Sequence, residues 1–300
     1  MHFRVAASGD APQLMSRFYI MFGNVKVRMR AAPGAGIVSS LVLQSDTLDE
    51  IDYEWIGVIP NEVQTNYFGK GDTTTYTRGS FHPTKDNQGD FVDYEIDWTA
   101  NAITWYIDGQ AVRTLTPETA ETNQYPQTPM QLKFGAWSAG DPRNAQGTIE
   151  WAKGPTDYSQ GPFDMIVESL EITDYSTGTA YQYNGNSGNI DSIVAIEGQI
   201  GGNGRGSSPS VVAPIAPATS GPAIPQGIGY GSATDARSGW PYETSGVDSA
   251  PSPTFTISGV PSGWIVSGNG KIVPISDGVV SMPLPSVALS HYPPLLLLLL

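Results

Sequence analysis

Three carboxylates stand at a spacing of two in the stretch "DTLDEIDYEWIG": Glu50, Asp52 and Glu54. Ile51, Tyr53 and Trp55 alternate with them, so the segment reads as a β-strand, in which residues at i, i+2 and i+4 share a face. Acidic residues are poor strand formers, and like charges in a row repel one another. A solvated strand face is the plain alternative, but the large apolar residues on the opposite face mark a well-packed strand. The chemistry such a row could do is glycoside cleavage, which needs two carboxyl groups across one scissile bond. They stand about 5–5.5 Å apart when one is a nucleophile and the other an acid/base. With a rise of about 3.3 Å per residue, the Cα atoms of Glu50 and Glu54 are expected roughly 13 Å apart. Side chains that each reach about 4 Å and lean inward bring the carboxylates to roughly 5–6 Å. Asp52, between them, is short enough to hydrogen-bond a neighbour and tune both pKa values. Such a cluster keeps one proton at neutral pH, which a general acid requires.

Other chemistries find little footing. The histidines His2, His82 and His291 are far apart and there is no cysteine, so no metal centre, thiol nucleophile or disulfide is expected. His82, just before Pro83, reads as a turn residue. A serine triad needs a histidine base, and nothing marks a nucleophile elbow. The glycine run "GGNGRGS" has no strand before it and no helix after it, so it reads as linker rather than a phosphate loop. No cofactor is expected. The formal net charge of −14 argues against a nucleic-acid partner, because phosphate binding wants the opposite sign.

The elements that must hold the row are strands. "NVKVRMRAA" alternates Val25, Val27 and Met29 with Lys26, Arg28 and Arg30, as a half-buried strand does. "GIVSSLVLQS" is more uniformly apolar and more central. "FVDYEIDW" and "AITWYIDGQAVRTLT" alternate well, and Asp108-Gly109 signals a tight type I′ hairpin turn. "MQLKFGAW" and "FDMIVESLEITDY" add two more strands, while "TPETAETN" offers one helical turn. Many short strands without alternating helices point to a β-sandwich or barrel. Fourteen tyrosines and seven tryptophans suit a surface that stacks on flat ligands.

Composition changes near residue 198. Beyond it lie most of the prolines, nearly half of the glycines and few charges. Residues 1–197 are therefore assigned to the catalytic domain and 198–300 to a low-complexity stalk that is expected to be disordered. Within the stalk, 255–278 is the one part with the makings of a small hairpin. No export signal is visible at the start, and the final six leucines fall short of the roughly 10–20 apolar residues of a lipid-anchor signal.

"DEIDYEWIG" resembles the E-x-D-x-E signature of glycoside hydrolase family 16 in its uninterrupted form. Its surroundings narrow the likeness. "FYIMFGNVKVRMRAAPGAGIVSSLVLQSDTLDEIDYEWIG", "VQTNYFGKGDTTTYTRGSFHP", "YEIDWTANAITWYIDG", "PQTPMQLKFGAWSAGDP" and "GTIEWAKGPTDYSQGPF" resemble the Crh family of fungal cell-wall transglycosylases, over about residues 5 to 195. The resemblance implies a β-jelly-roll sandwich of the concanavalin-like kind with a concave, aromatic-lined cleft. It also implies a retaining enzyme that cuts chitin and transfers the chain onto β-glucan or another chitin end, with a simple β-glycan hydrolase and an inactive carbohydrate-binding wall protein as the alternatives. Polysaccharides would be its partners, the cell wall its location, and a monomer its expected state. Glu50 is then the nucleophile, Asp52 the assisting carboxylate and Glu54 the acid/base. Trp137, Trp151, Tyr76 and Arg78 are expected to line the cleft, with Gln64 and Asn66 on sugar hydroxyls. Two departures stand out. Family members usually begin with a signal peptide and further residues of the sandwich, whereas "FRVAASGDAP" reads as starting inside the catalytic domain, which would be N-terminally incomplete. Where relatives tend to carry "FHTY", this chain has Phe91-Val92-Asp93-Tyr94.

Overall fold

The structure is a computed structural model that describes residues 1–204, with the backbone of 219–220, 264–266 and 272–274. The strands are β1 (His2–Val5), β2 (Gln13–Met15), β3 (Gly23–Arg30), β4 (Ile37–Ser45), β5 (Glu50–Ile56), β6 (Glu62–Phe68), β7 (Ser80–Pro83), β8 (Val92–Trp98), β9 (Ile103–Ile107), β10 (Gln110–Leu115), β11 (Met130–Ser138), β12 (Phe163–Asp174), β13 (Ala180–Tyr183), β14 (Ile193–Ile196), β15 (Thr219–Ser220), β16 (Trp264–Val266) and β17 (Ile272–Pro274). A short helix, α1 (Gln146–Trp151), follows β11. Two large antiparallel sheets result, ordered β1-β12-β3-β8-β9-β10 and β15-β7-β6-β5-β4-β11-β2. They face one another as a sandwich, the jelly-roll architecture expected of the sequence.

Burial follows the alternation read from the sequence. β3 buries Val25, Val27 and Met29 and leaves Lys26, Arg28 and Arg30 half-exposed. The core between the sheets gathers Tyr53 and Trp55 from β5, Tyr94 from β8 and Trp105 from β9. Trp55 lies edge-on to Tyr94 with ring centroids 4.7 Å apart, and Tyr53 stacks on Trp55 at 5.6 Å. A second apolar cluster lies on the other face of the seven-stranded sheet and contains Val38, Ile56, Phe68, Trp137 and Trp151. This second layer is why β4 and β5 are buried along both faces.

The β9–β10 hairpin turns on Asp108 and Gly109 with φ of 45° and 77°, the paired left-handed conformations of a type I′ turn. "TPETAETN" closes as a simple turn, with the Thr119 and Ala120 amides on Thr116 O. The one α-helix among the described residues is α1 instead, in a segment whose periodicity is too short to register as helical. The packed body also runs beyond residue 197. Thr177 N donates to Gln199 O at 2.9 Å, Gly201 N to Ser176 Oγ at 3.0 Å, and Asn203 Nδ2 to Asp174 O at 2.7 Å. Ile200 packs against the core. Glycine content alone marked these residues as linker, yet their backbone and amide groups are tied down. The rest of the assigned stalk lies outside the described residues apart from three short strands. β15 pairs with β7, and β16 pairs with β17 from Trp264↔Pro274 to Val266↔Ile272.

Candidate active site

β5 runs between β4 and β6 in unbroken register, from Gln44↔Glu50 to Val38↔Ile56 on one side and from Glu50↔Phe68 to Glu54↔Gln64 on the other. With no bulge to rotate the chain, Glu50, Asp52 and Glu54 project from one face, opposite the core. Paired residues share a face, so Ser40 and Gln64 flank Glu54, Asn66 flanks Asp52, and Gln44 and Phe68 flank Glu50. From the core side the strand is held by the Trp105 indole N–H, which donates to Asp52 O at 3.1 Å. The Tyr53 hydroxyl reaches across to Tyr106 O at 2.9 Å.

The row is entered through a tight turn in which Leu48 adopts φ of 63°, a conformation disfavoured for a bulky side chain. Asp49, fully buried, secures that turn. It accepts from Lys70 N at 2.8 Å, Gln127 N at 2.9 Å and Thr128 Oγ1 at 2.7 Å. Sequence reading passed over Asp49 because only the folded chain brings residues 70, 127 and 128 to it.

Electrostatics sort the three acids. Burial raises the Glu54 carboxyl to about 8, with the negative charge of Glu50 adding to the effect. Burial also raises Glu50, but only to about 7, because the Gln44 amide, the Lys133 ammonium and the neighbouring Asp52 carboxyl oppose it. Asp52 is held well above the ordinary carboxylate range by burial, then by the charges of Glu50 and Glu54; Arg113 weakly opposes. Asp52 thus sits between the two glutamates as a protonated neighbour, and its two carboxyl oxygens have no hydrogen-bond partner in the protein among the described residues. Both glutamates are raised by burial, while the Gln44 amide and the Lys133 ammonium favour the charged form of Glu50, the direction that nucleophile and acid roles demand.

The remaining expected residues fall into three groups. Gln64 and Asn66 are on the carboxylate face and buried. The Asn66 Nδ2 and Glu54 Oε2 atoms have no protein partner among the described residues. Trp137 shares the face through the register Trp137↔Val38, and its indole N–H points to Ser40 Oγ at 3.4 Å. Trp151, on α1, stacks on Trp137 with centroids 6.3 Å apart. Each is only 2% exposed, so together they form a wall beside Glu54 more than an open platform. The Trp151 Nε1 atom has no protein partner among the described residues. Tyr76 lies edge-on to Phe68, towards the Glu50 end. Arg78 is committed to the protein: it donates to Glu121 at 2.7 Å, Asp72 O at 3.1 Å and Thr75 Oγ1 at 3.2 Å, with its guanidinium over Phe68. It staples the 69–79 loop.

Gln44 and Lys133 were missed by sequence reading. Gln44 Nε2 donates to Glu50 Oε2 at 2.5 Å, and Lys133 Nζ donates to Gln44 Oε1 at 2.6 Å. Neither carries a motif, and the only signal would have been the cross-strand register.

The model for glycosyl hydrolases family 16 matches residues 1–153. A relative named Crh-like protein 4, from Botryotinia fuckeliana, is 54% identical over 283 residues, covering 93% of this chain and 75% of its own length. The chain belongs to glycosyl hydrolases family 16. Within family 16 it is a Crh-like member, an enzyme of the glycoside hydrolase type. Congo red hypersensitive protein 1 of Saccharomyces cerevisiae is 51% identical over 193 residues, which are 64% of this chain and 38% of that protein. The Crh-like protein 4 of Aspergillus fumigatus is 47% identical, and the chain spans 64% of it. Among solved structures, that of a Crh5 transglycosylase in complex with NAG superposes with a TM-score of 0.64 at 53% identity, covering 65% of this chain and 81% of the other.

Proposed function

We propose that this family 16 enzyme is a retaining cell-wall transglycosylase that cleaves β-1,4-linked chitin and transfers the chain to β-glucan or chitin acceptors. One observation carries the reading: Glu50 and Glu54 share one strand face beside Asp52, and the hydrogen-bonded Gln44 and Lys133 reach Glu50 at its end of the row. In the first step Glu54 gives its proton to the glycosidic oxygen while the Glu50 carboxylate attacks the anomeric carbon, and the leaving chain departs as an alcohol. Asp52, between the two on the same face, can turn its hydrogen toward Glu50 as the charge on Glu50 is lost to the ester. In the second step the Glu54 carboxylate takes the proton of an incoming sugar hydroxyl, whose oxygen displaces Glu50.

Transfer and hydrolysis share the first step and differ in what attacks the intermediate. The transglycosylase named among the solved relatives supports transfer. So does the apolar wall of Val38, Ile56, Trp137 and Trp151 near Glu54, where a bound sugar gains effective concentration over undirected water. Asn66 Nδ2, Trp151 Nε1 and Gln64 supply polar contacts to sugar hydroxyls. The catalytic row is complete within one chain, consistent with a monomer acting on polysaccharide at the fungal cell wall. The test is incubation with chitin oligosaccharides and a fluorescently labelled laminarin oligosaccharide, followed by sizing of labelled products. Labelled chains longer than the acceptor are expected. Shortened chitin alone, at millimolar acceptor, would establish a hydrolase.

A further inference from the structure

Glu50 is joined to a cation through a chain of two hydrogen bonds. Gln44 is its direct cross-strand partner on β4, and Lys133 comes from β11, one strand further on. The two contacts, 2.6 Å from Lys133 Nζ to Gln44 Oε1 and 2.5 Å from Gln44 Nε2 to Glu50 Oε2, fix the direction of the amide. An ammonium group has donors and no acceptor, so the Gln44 oxygen must face Lys133. The amide N–H must then face Glu50, and Glu50 must answer with a lone pair. A Gln44 turned the other way would set donor against donor at Lys133 and acceptor against acceptor at Glu50.

We infer that Lys133 and Gln44 are positioning residues for the nucleophile, holding Glu50 as an oriented hydrogen-bond acceptor. The inference rests on the reading of Glu50 as nucleophile. The other charged groups around it act elsewhere. Asp52 and Glu54 lie beside it on β5, and neither is a cation; Asp52 adds weakly to the effect of Gln44 and Lys133 on Glu50. Arg113 lies behind the sheet on Thr65 O, Thr65 Oγ1 and Arg78 O, and its attraction falls on Asp52. Arg78 is paired with Glu121. Lys133 is the cation whose attraction reaches Glu50, and it does not figure among the influences on Glu54. A relay of this kind separates two glutamates that burial alone would raise together, and so decides which of them attacks.

The experiment is the pH profile of kcat/KM for transfer from a chitin oligosaccharide donor, for wild type, Lys133→Met, Lys133→Arg and Gln44→Met. It is paired with a titration of Glu50 by carboxyl-labelled 13C NMR, the resonance being assigned by its loss in Glu50→Gln. Removing the relay makes ionisation of Glu50 harder, so the acidic limb in Lys133→Met is expected to move up by about one pH unit. The bell narrows from that side, with roughly a tenfold loss on the acidic limb that shrinks as pH rises. Gln44→Met shifts the same limb in the same direction, while Lys133→Arg, which keeps a donor for Gln44 Oε1, stays near wild type. A purely structural role predicts a uniform loss at every pH. Profiles of Lys133→Met and Gln44→Met parallel to wild type, or an unmoved Glu50 titration in either, would overturn the relay. If Lys133→Met does not fold, Gln44→Met and Lys133→Arg decide. Near-normal turnover by Glu50→Gln would instead remove the nucleophile reading on which the relay depends.

Discussion

At the scale of single residues, the three acids differ in what each can lose. Glu50→Gln is expected to abolish formation of the glycosyl-enzyme, because an amide is too weak a nucleophile. Glu54→Gln should stall protonation of the leaving oxygen, a loss of roughly 10²–10⁴ in rate. Asp52→Asn keeps a hydrogen-bond donor beside Glu50 and should cost less than either; steady-state rates on chitin oligosaccharides separate the three. Stability moves the other way. The folded carboxyl of Glu54 titrates near 8 against an ordinary value of 4.5. A folded-state value above the unfolded one means stability that is fully present below about 4.5 and lost as the pH climbs through about 8. The glutamine variant has no charge to bury, so its melting temperature relative to wild type should rise between pH 5 and pH 9. A difference that stays flat over that range would show that Glu54 is not burdened by burial in the folded protein.

At the scale of elements, β5 is a strand whose two faces do different work. Tyr53 and Trp55 lock it to the six-stranded sheet, and the opposite face is held to β4 and β6 in strict register. The wall beside Glu54 depends on α1, because Trp151 is the helix's contribution to the stack on Trp137. Trp151→Ala should leave a cavity and cost about 3–5 kcal/mol, as large aromatic truncations in cores do. Trp151→Phe is the sharper probe. It keeps an aromatic ring against Trp137 and removes the indole N–H, which has no partner in the protein among the described residues, along with part of the bicyclic ring. The KM for chitin oligosaccharides should rise about fivefold with kcat little changed, the signature of one lost hydrogen bond to bound sugar. An unchanged KM would mean that this N–H does not meet the substrate.

At the scale of the whole molecule, the end of the packed body is a question of hydrogen bonds. A chain ending at Glu197 loses the contacts that Gln199, Gly201 and Asn203 make to the 174–177 turn. At about 1 kcal/mol net for each hydrogen bond, its melting temperature should fall by roughly 5–10 °C, given the ~2–4 °C per kcal/mol of domains this size. A chain ending at Gly204 keeps those contacts and should melt well above the shorter one. Calorimetry on the two truncations makes the comparison, and equal melting temperatures would show that residues 198–204 add nothing to the fold.

Alternation along the chain was enough to determine β3, β5 and β8 to β12 but not the short strands β1, β2, β13 and β14 or the β6–β7 pair, and the spacing of Glu50, Asp52 and Glu54 was enough to place them on one face. Both follow from the period of two in an extended backbone, a local property that neighbouring residues carry with them. The Asp108-Gly109 turn was legible for the same reason, since its left-handed conformations are a demand on two adjacent residues. What the acids do was not local. The register of β4, β5 and β11 decided that Gln44 and Lys133 would meet Glu50 and that Asp49 would collect donors from three distant segments. The loop contacts of Arg78 decided that its guanidinium would be tied to Glu121, Asp72 and Thr75 over the Phe68 ring. The unequal pKa values of Glu50 and Glu54 likewise arise from burial and from a cation on another strand, 83 residues on in the chain. Sequence spacing sets which side chains point together. Only the closed sandwich sets how far each is removed from water and which opposite charge it finds there.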